Sequence, residues 1–172
     1  MIKPSKKYLN LTIDGHSIID LMVYIAVAIL LLSVALLVIS PVEIQRRARD
    51  EKRLGDLARL DTAINEYKID NDSLPDSSDI LRESNTLPDG NFGPLNDLTS
   101  GWIDANFNQY LVILPVDPIN DSVLHYYYQH NGSNYELNAL FEYYTDKAEN
   151  DGGDDSTRYE TGDRLDIISP TP

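Results

Sequence analysis

Asp20 is a carboxylate beside a long apolar segment. The twenty residues that follow it, 21–40, carry no charged side chain. As an α-helix rising about 1.5 Å per residue, they would extend about 30 Å, the thickness of a bilayer's hydrocarbon core. The apolar side chains outweigh the cost of one carboxylate near the edge, so we expect insertion into a membrane. Taken alone, Asp20 is best interpreted as an interfacial residue that reaches the lipid headgroups.

A second group of carboxylates lies near the carboxyl terminus. Asp151, Asp154 and Asp155 surround the pair Gly152-Gly153. Ca²⁺ binds six to eight oxygen atoms, and glycines allow carboxylates and carbonyls to converge on one point. The spacing is not that of an EF-hand. The segment is compatible with a Ca²⁺ site formed by the three aspartates, and also with a solvated acidic loop.

No group of residues has the pattern of an enzyme active site. The chain has no cysteine and three histidines, of which His125 and His130 flank the segment YYYQ. This set is too small for a transition-metal site, and we interpret both histidines as surface or strand residues. No Ser/His/Asp pattern and no glycine-rich phosphate loop is present. We therefore predict that the protein is not an enzyme.

The charge is distributed unevenly along the 172 residues. The whole chain carries a net charge of −14, whereas residues 61–172 alone, with five basic and twenty-two acidic side chains, carry −17. Such an acidic region repels the phosphates of nucleic acids, so we predict no nucleic-acid contact there.

The segment after Pro41 has the period of an amphipathic helix. Apolar residues recur at steps of three or four along residues 41–72, and we expect Pro41 to kink the junction with the preceding apolar segment. Three pairs of opposite charges are spaced i, i+4. The stripe consists of Leu54, Leu57, Leu60, Ile64 and Tyr67, and the pairs are Arg46–Asp50, Arg47–Glu51 and Lys52–Asp56.

The remaining residues, 73–172, predict a small head. Residues 73–109 are rich in turn-forming side chains and should form an ordered loop region that Trp102 anchors to the core. Asn131-Gly132 separates two aromatic segments and is a strong hairpin signal. The segment 110–114, YLVIL, fits a buried strand or a last helical turn. The predicted fold class is α+β, with a long N-terminal helix packed on a small antiparallel sheet.

Four blocks of this sequence, in this order, resemble type IV pilins and type II secretion pseudopilins. The first is a lysine-bearing leader that ends in Gly15, followed by HSIID and LMVYIAVAILLL. The second is ARLDTAINEYKIDNDSLP, which resembles the end of the long helix in pseudopilins. The third and fourth are LPVDPIN and the pair HYYYQ and YELNAL, which resemble their sheet region.

The resemblance implies a processing and assembly site at the start of the apolar segment. A prepilin peptidase would cut between Gly15 and His16, and the new α-amino group, which this family methylates, would lie near Asp20. The family uses a carboxylate at this position to engage the amine of a neighbouring subunit, which lowers the desolvation cost of both charges. His16 replaces the usual aromatic residue, and Asp20 replaces the usual glutamate.

The resemblance also implies a domain plan, a location and partners. The plan is a leader (1–15), a transmembrane and assembly helix (16–40), its amphipathic continuation (41–72) and an acidic pilin-like head with a C-terminal loop (73–172). The chain would cross the inner membrane once, with its N-terminus inside, and would assemble into a pilus or pseudopilus outside it. Its partners would be other pilin subunits, the prepilin peptidase, the inner-membrane assembly platform and membrane lipid. Major pseudopilins carry Ca²⁺ in their C-terminal loops, which suggests the same cofactor for Asp151, Asp154 and Asp155.

An alternative of a different class remains open at this point. The chain could be a monomeric, membrane-anchored binding module whose acidic head captures an ion, a peptide or a sugar outside the cell. A filament subunit requires cleavage at Gly15, whereas a monomeric module does not.

Overall fold

The computed structural model describes residues 18–38 and 40–169, so Gly15 and His16 lie outside the described residues. Contacts divide the chain after Pro41 into two compact units. The elements are α1 (Ile18–Val38), α2 (Pro41–Asn71), β1 (Arg82–Glu83), β2 (Tyr126–His130), β3 (Tyr135–Leu140), α3 (Thr145–Glu149) and β4 (Arg158–Gly162).

The predicted long N-terminal helix is not seen. Helix α1 ends at Val38, and α2 begins at Pro41. Proline has no backbone N–H and disfavours the helical conformation of the residue before it, but it fits the first position of a helix. Pro41 is accordingly the first residue of a new helix, and the prediction of one continuous helix is wrong.

The transmembrane half of the predicted fold is also wrong. A membrane-spanning helix must combine a length of about twenty residues with high hydropathy over the same residues. Across residues 18–38 and 40–169, no helix meets both requirements.

The predicted head comprises residues 73–172 alone. In the structure α2 contributes one face to the same core, so the head comprises residues 42–169. The side chains of Leu57, Leu60 and Ile64 are completely buried, as the predicted apolar stripe requires. Trp102, also completely buried, donates its indole N–H to the backbone oxygen of Pro115 at 2.7 Å. The predicted anchoring role of Trp102 is therefore confirmed.

The sheet has four antiparallel strands in the order β1-β2-β3-β4. The central hairpin joins β2 to β3, with His130 opposite Tyr135 across a turn that contains Asn131 and Gly132. The α+β class, the antiparallel sheet and the hairpin are thus confirmed. Residues 110–114, by contrast, form neither a strand nor a helix.

Candidate functional site

Helix α1 presents apolar side chains around its whole circumference. Residues 29–32 are four consecutive Ile and Leu residues, each between 62% and 64% exposed. Because successive residues of a helix point about 100° apart, four in a row cover every direction. A helix that is apolar all round needs a covering of protein or lipid.

Asp20 lies in the first turn of α1 and its side chain is exposed. It follows Ile18 and Ile19, which are 78% and 70% exposed. A carboxylate near a helix N-terminus also interacts favourably with the helix dipole. The structure therefore places the predicted assembly carboxylate at the amino-terminal edge of the apolar surface of α1.

A buried ionic network joins α2 to two distant loops of the head. Arg53 is completely buried, and its Nε donates to Oδ2 of Asp117 at 2.5 Å. Its Nη1 donates to Oδ1 of Asp50 at 2.7 Å and to Oε2 of Glu142 at 2.8 Å. One guanidinium thus holds three carboxylates, and we call these four residues the Arg53 network.

Asp50 ties this network to the backbone of the loop after β3. Its carboxylate accepts the backbone N–H groups of Glu142, Tyr143 and Tyr144, at 3.1 Å or less. Glu142 in turn accepts two hydrogen bonds from Arg49, both at 2.6 Å. The hydrogen bonds from Arg49, followed by those from Arg53, lower the pKa of Glu142 to about 2. The network is a structural connection between α2 and the loop.

A second polar cluster lies between β3 and β4, on one face of the sheet. Asn138 is directly opposite Glu160 in the register, and Glu136, two residues before Asn138, is on the same face. All three side chains are buried. Oε2 of Glu136 accepts the backbone N–H groups of Ile167 and Ile168 at 2.8 and 2.9 Å, which fastens the C-terminal segment to the sheet.

The pKa of Glu160 is raised, which favours its neutral, protonated form at neutral pH. Burial is the main cause, and a hydrogen bond with Glu136 adds to it, so that the pKa of Glu160 is raised to about 8. Two carboxyl groups that share a buried site cannot both ionise at low cost. A Cβ atom at Gly153 would lie 1.4 Å from Oε2 of Glu160, so this approach requires a glycine.

Two of the three predicted calcium ligands, Asp151 and Asp155, accept local hydrogen bonds through their carboxylates. Asp151 accepts the backbone N–H groups of Gly153 at 2.9 Å and of Glu160 at 2.7 Å. Oδ1 of Asp155 accepts both the N–H and the hydroxyl of Thr157, whereas Asp154 is exposed. Among the side chains that the structure describes, no three His, Cys, Asp or Glu residues are arranged to hold a metal ion. The calcium site therefore stays a prediction.

The two histidines near β2 are buried and hydrogen-bonded to backbone groups. Nδ1 of His125 lies 3.0 Å from the backbone oxygen of Asp121. Nε2 of His130, the last residue of β2, lies 3.3 Å from the backbone oxygen of Asp76. The interpretation as surface or strand residues is confirmed for His130, which lies in β2, and is wrong for His125, which is buried and precedes the strand.

Sequence reasoning missed Arg53, Glu136 and Glu160. A signal for Arg53 was present, because it precedes Leu57 by four residues and so continues the apolar stripe toward the amino terminus. Similarly, in YELNAL the polar residues Glu136 and Asn138 alternate with apolar ones, which places them together on one face. What the sequence does not show is that this face is covered by the C-terminal segment.

Comparisons with known proteins add no further information on identity. The chain matches no family model, no curated protein and no solved structure. The resemblance to pilins and pseudopilins therefore depends on the four quoted blocks, which lie between residues 15 and 140, and the function that it implies is a proposal.

Proposed function

We propose that this protein is a structural subunit of a type IV pilus or a type II secretion-like pseudopilus, polymerised through α1. The observation that carries this proposal is the exposed apolar surface around α1. Burying an exposed Leu or Ile side chain contributes about 1.5–3 kcal/mol, and α1 offers many of them on every side. Contact with the same helix of other copies would cover this surface without a dedicated partner.

Asp20 gives this assembly its register. In the proposal, cleavage after Gly15 creates an amine at His16, and the carboxylate of Asp20 neutralises the amine of a neighbouring copy. A charge buried among apolar helices is costly without a partner, so subunits align where the two charges meet. The partners of the chain are then other subunits, a prepilin peptidase and an assembly platform at the inner membrane.

Cleavage is the first testable consequence. We expect mass spectrometry of assembled protein to find His16 as the amino-terminal residue, and Gly15→Trp to leave an uncut precursor. Asn10→Ala, a change within the same leader but away from the cut, is the control and should be processed normally. Recovery of intact Met1 from filaments would contradict the proposal, and an uncut, monomeric wild type would identify an anchored binding module instead.

Assembly through Asp20 is the second consequence. Asp20→Ala should leave cellular abundance unchanged but reduce incorporation into filaments by about tenfold or more, because the amine then lacks its counter-charge. Asp20→Glu should assemble as well as wild type. Incorporation is measured by comparing sheared filaments with cell-bound protein.

The control for Asp20 is Ser33→Ala on the same helix. The Ser33 hydroxyl donates to the backbone oxygen of Leu30 at 2.7 Å, a bond within α1 that assembly does not require. Ser33→Ala should therefore behave as wild type. Equal incorporation of Asp20→Ala and wild type would reduce Asp20 to an ordinary polar residue at the helix edge.

A further inference from the structure

The turn between β2 and β3 contains the only Asn-Gly pair of the sequence, Asn131-Gly132. Both residues are exposed to solvent. Gly132 has a φ of +88°, and nothing lies within 4 Å of the position that a Cβ atom would occupy. Gly132 therefore lies in open space, in a backbone conformation that favours glycine.

The side-chain carbonyl of Asn131 is polarised by two donors. Its Oδ1 accepts the backbone N–H of Ser133 at 3.1 Å and that of Asn134 at 2.9 Å. Two N–H groups aimed at one carbonyl oxygen stabilise the negative charge that develops when a nucleophile adds to the carbon. The arrangement makes Cγ of Asn131 an activated electrophile.

The backbone nitrogen of Gly132, the nucleophile that would attack Cγ of Asn131, is hydrogen-bonded to the imidazole of His130. The N–H of Gly132 donates to Nδ1 of His130 at 3.1 Å. Nδ1 must therefore carry the lone pair, which places the ring proton on Nε2, beside the backbone oxygen of Asp76 at 3.3 Å. The ring is buried and is held from both sides, so Nδ1 is positioned to take the amide proton.

We propose that Asn131-Gly132 is a self-modifying site, at which the folded turn promotes conversion of Asn131 to a succinimide and then to aspartate or isoaspartate. The nitrogen of Gly132 bonds to Cγ of Asn131 while its proton passes to Nδ1 of His130. The Cγ–Nδ2 bond then breaks, and Nδ2 leaves as ammonia with that proton. Water opens the resulting five-membered ring at either carbonyl.

The modification changes the turn in two ways. Either product replaces a neutral amide by a carboxylate, which adds one negative charge to an already acidic head. Isoaspartate also inserts one methylene group into the backbone at the turn. The four residues between His130 and Tyr135 then span a longer path, and the hydrogen bond from Gly132 to His130 is displaced.

The decisive measurement compares the folded chain with the same chain unfolded in urea. Both samples of the full-length protein are incubated at neutral pH, and the peptide containing Asn131 is analysed by mass spectrometry for loss of the amide and for isoaspartate. We expect the folded chain to react about tenfold faster, because only the fold aligns the base with the two donors. Hydroxylamine, which cleaves succinimides, should cut the folded chain between residues 131 and 132.

Two variants separate the base from the hydrogen bond. His130→Gln retains an acceptor for the N–H of Gly132 but no basic nitrogen, and it should lower the folded-state rate about tenfold. His125→Gln, the matched control at the other buried histidine, should leave the rate unchanged. Circular dichroism establishes that each variant is folded.

A folded wild-type chain that reacts no faster than the unfolded chain would overturn the proposal, and this comparison requires no variant. A folded His130→Gln protein with the wild-type rate would overturn it as well, since the base would then have no role.

Discussion

Arg53→Leu is expected to lower the free energy of unfolding of the head by about 3–5 kcal/mol. The leucine fills part of the space but leaves the carboxylates of Asp50, Asp117 and Glu142 without the guanidinium that bridges them. Glu142 keeps its hydrogen bonds from Arg49, but Asp50 and Asp117 lose the cation that they share and are left buried and poorly solvated. The effect should appear as a lower midpoint in urea unfolding at neutral pH.

Arg59→Leu is the matched control for this measurement. Arg59 lies on the same helix and pairs with Asp56 at 3.3 Å, but its side chain is 67% exposed. Exposed ion pairs contribute about 0–1 kcal/mol, so the control should be nearly neutral. If Arg53→Leu cost no more than Arg59→Leu, the buried network would not contribute to the stability of the head.

The stability of the head should fall as the pH rises from about 4.5 to about 8, because of Glu160. The pKa of this group is about 8 in the folded protein, whereas a glutamate in an unfolded chain has its usual value near 4.3. The unfolded state therefore releases the proton first, and each increase of pH within this window favours unfolding. A pKa difference of this size corresponds to a loss of about 5 kcal/mol, which is complete above the folded pKa.

Glu160→Gln tests this prediction, because glutamine remains neutral at every pH. The variant should lose the Glu160 contribution to the pH dependence and should be more stable than wild type above pH 8. Glu149→Gln, at an exposed position of α3, is the control and should follow the wild-type curve. Parallel curves for Glu160→Gln and wild type would show that folding does not raise the pKa of Glu160.

The features that were predictable from the sequence are local ones. The β2–β3 hairpin depends on a turn signal between adjacent segments, and the buried face of α2 depends on the helical period. The strands β1 and β4 were missed for different reasons. β1 has only two residues, and β4, Arg158–Gly162, is mostly polar, so neither has the apolar alternation of a typical strand.

Charge pairs show where local reasoning stops. The pair Lys52–Asp56 is present at 2.5 Å, as predicted from the i, i+4 spacing. Asp50, by contrast, binds Arg53 and the backbone of the loop after β3. Tyr144 similarly lies between the expected partners of another pair, since its hydroxyl accepts from Arg47 and donates to Glu51. Partners that are distant in sequence replace the local ones, and spacing along one helix cannot reveal them.

The interrupted helix has a related explanation. An apolar segment followed by an amphipathic one fits a continuous helix by period alone, and the sequence predicts that Pro41 kinks this helix. The structure begins a helix at Pro41 instead. The sequence alone does not distinguish one kinked helix from two separate helices, because proline fits both a kink and the first position of a helix.

The Arg53 network also determines when the head can fold during synthesis. Asp117 and Glu142 are 64 and 89 residues after Arg53 in the chain. When α2 has been synthesised, Asp50 is the only one of the three carboxylates that is present, because Asp117 and Glu142 have not yet been added to the chain. Contacts at such separations form late and slow the folding of small domains. Until residue 142 leaves the ribosome, the Arg53 network is incomplete, and we expect the nascent head to expose part of its apolar surface during that interval.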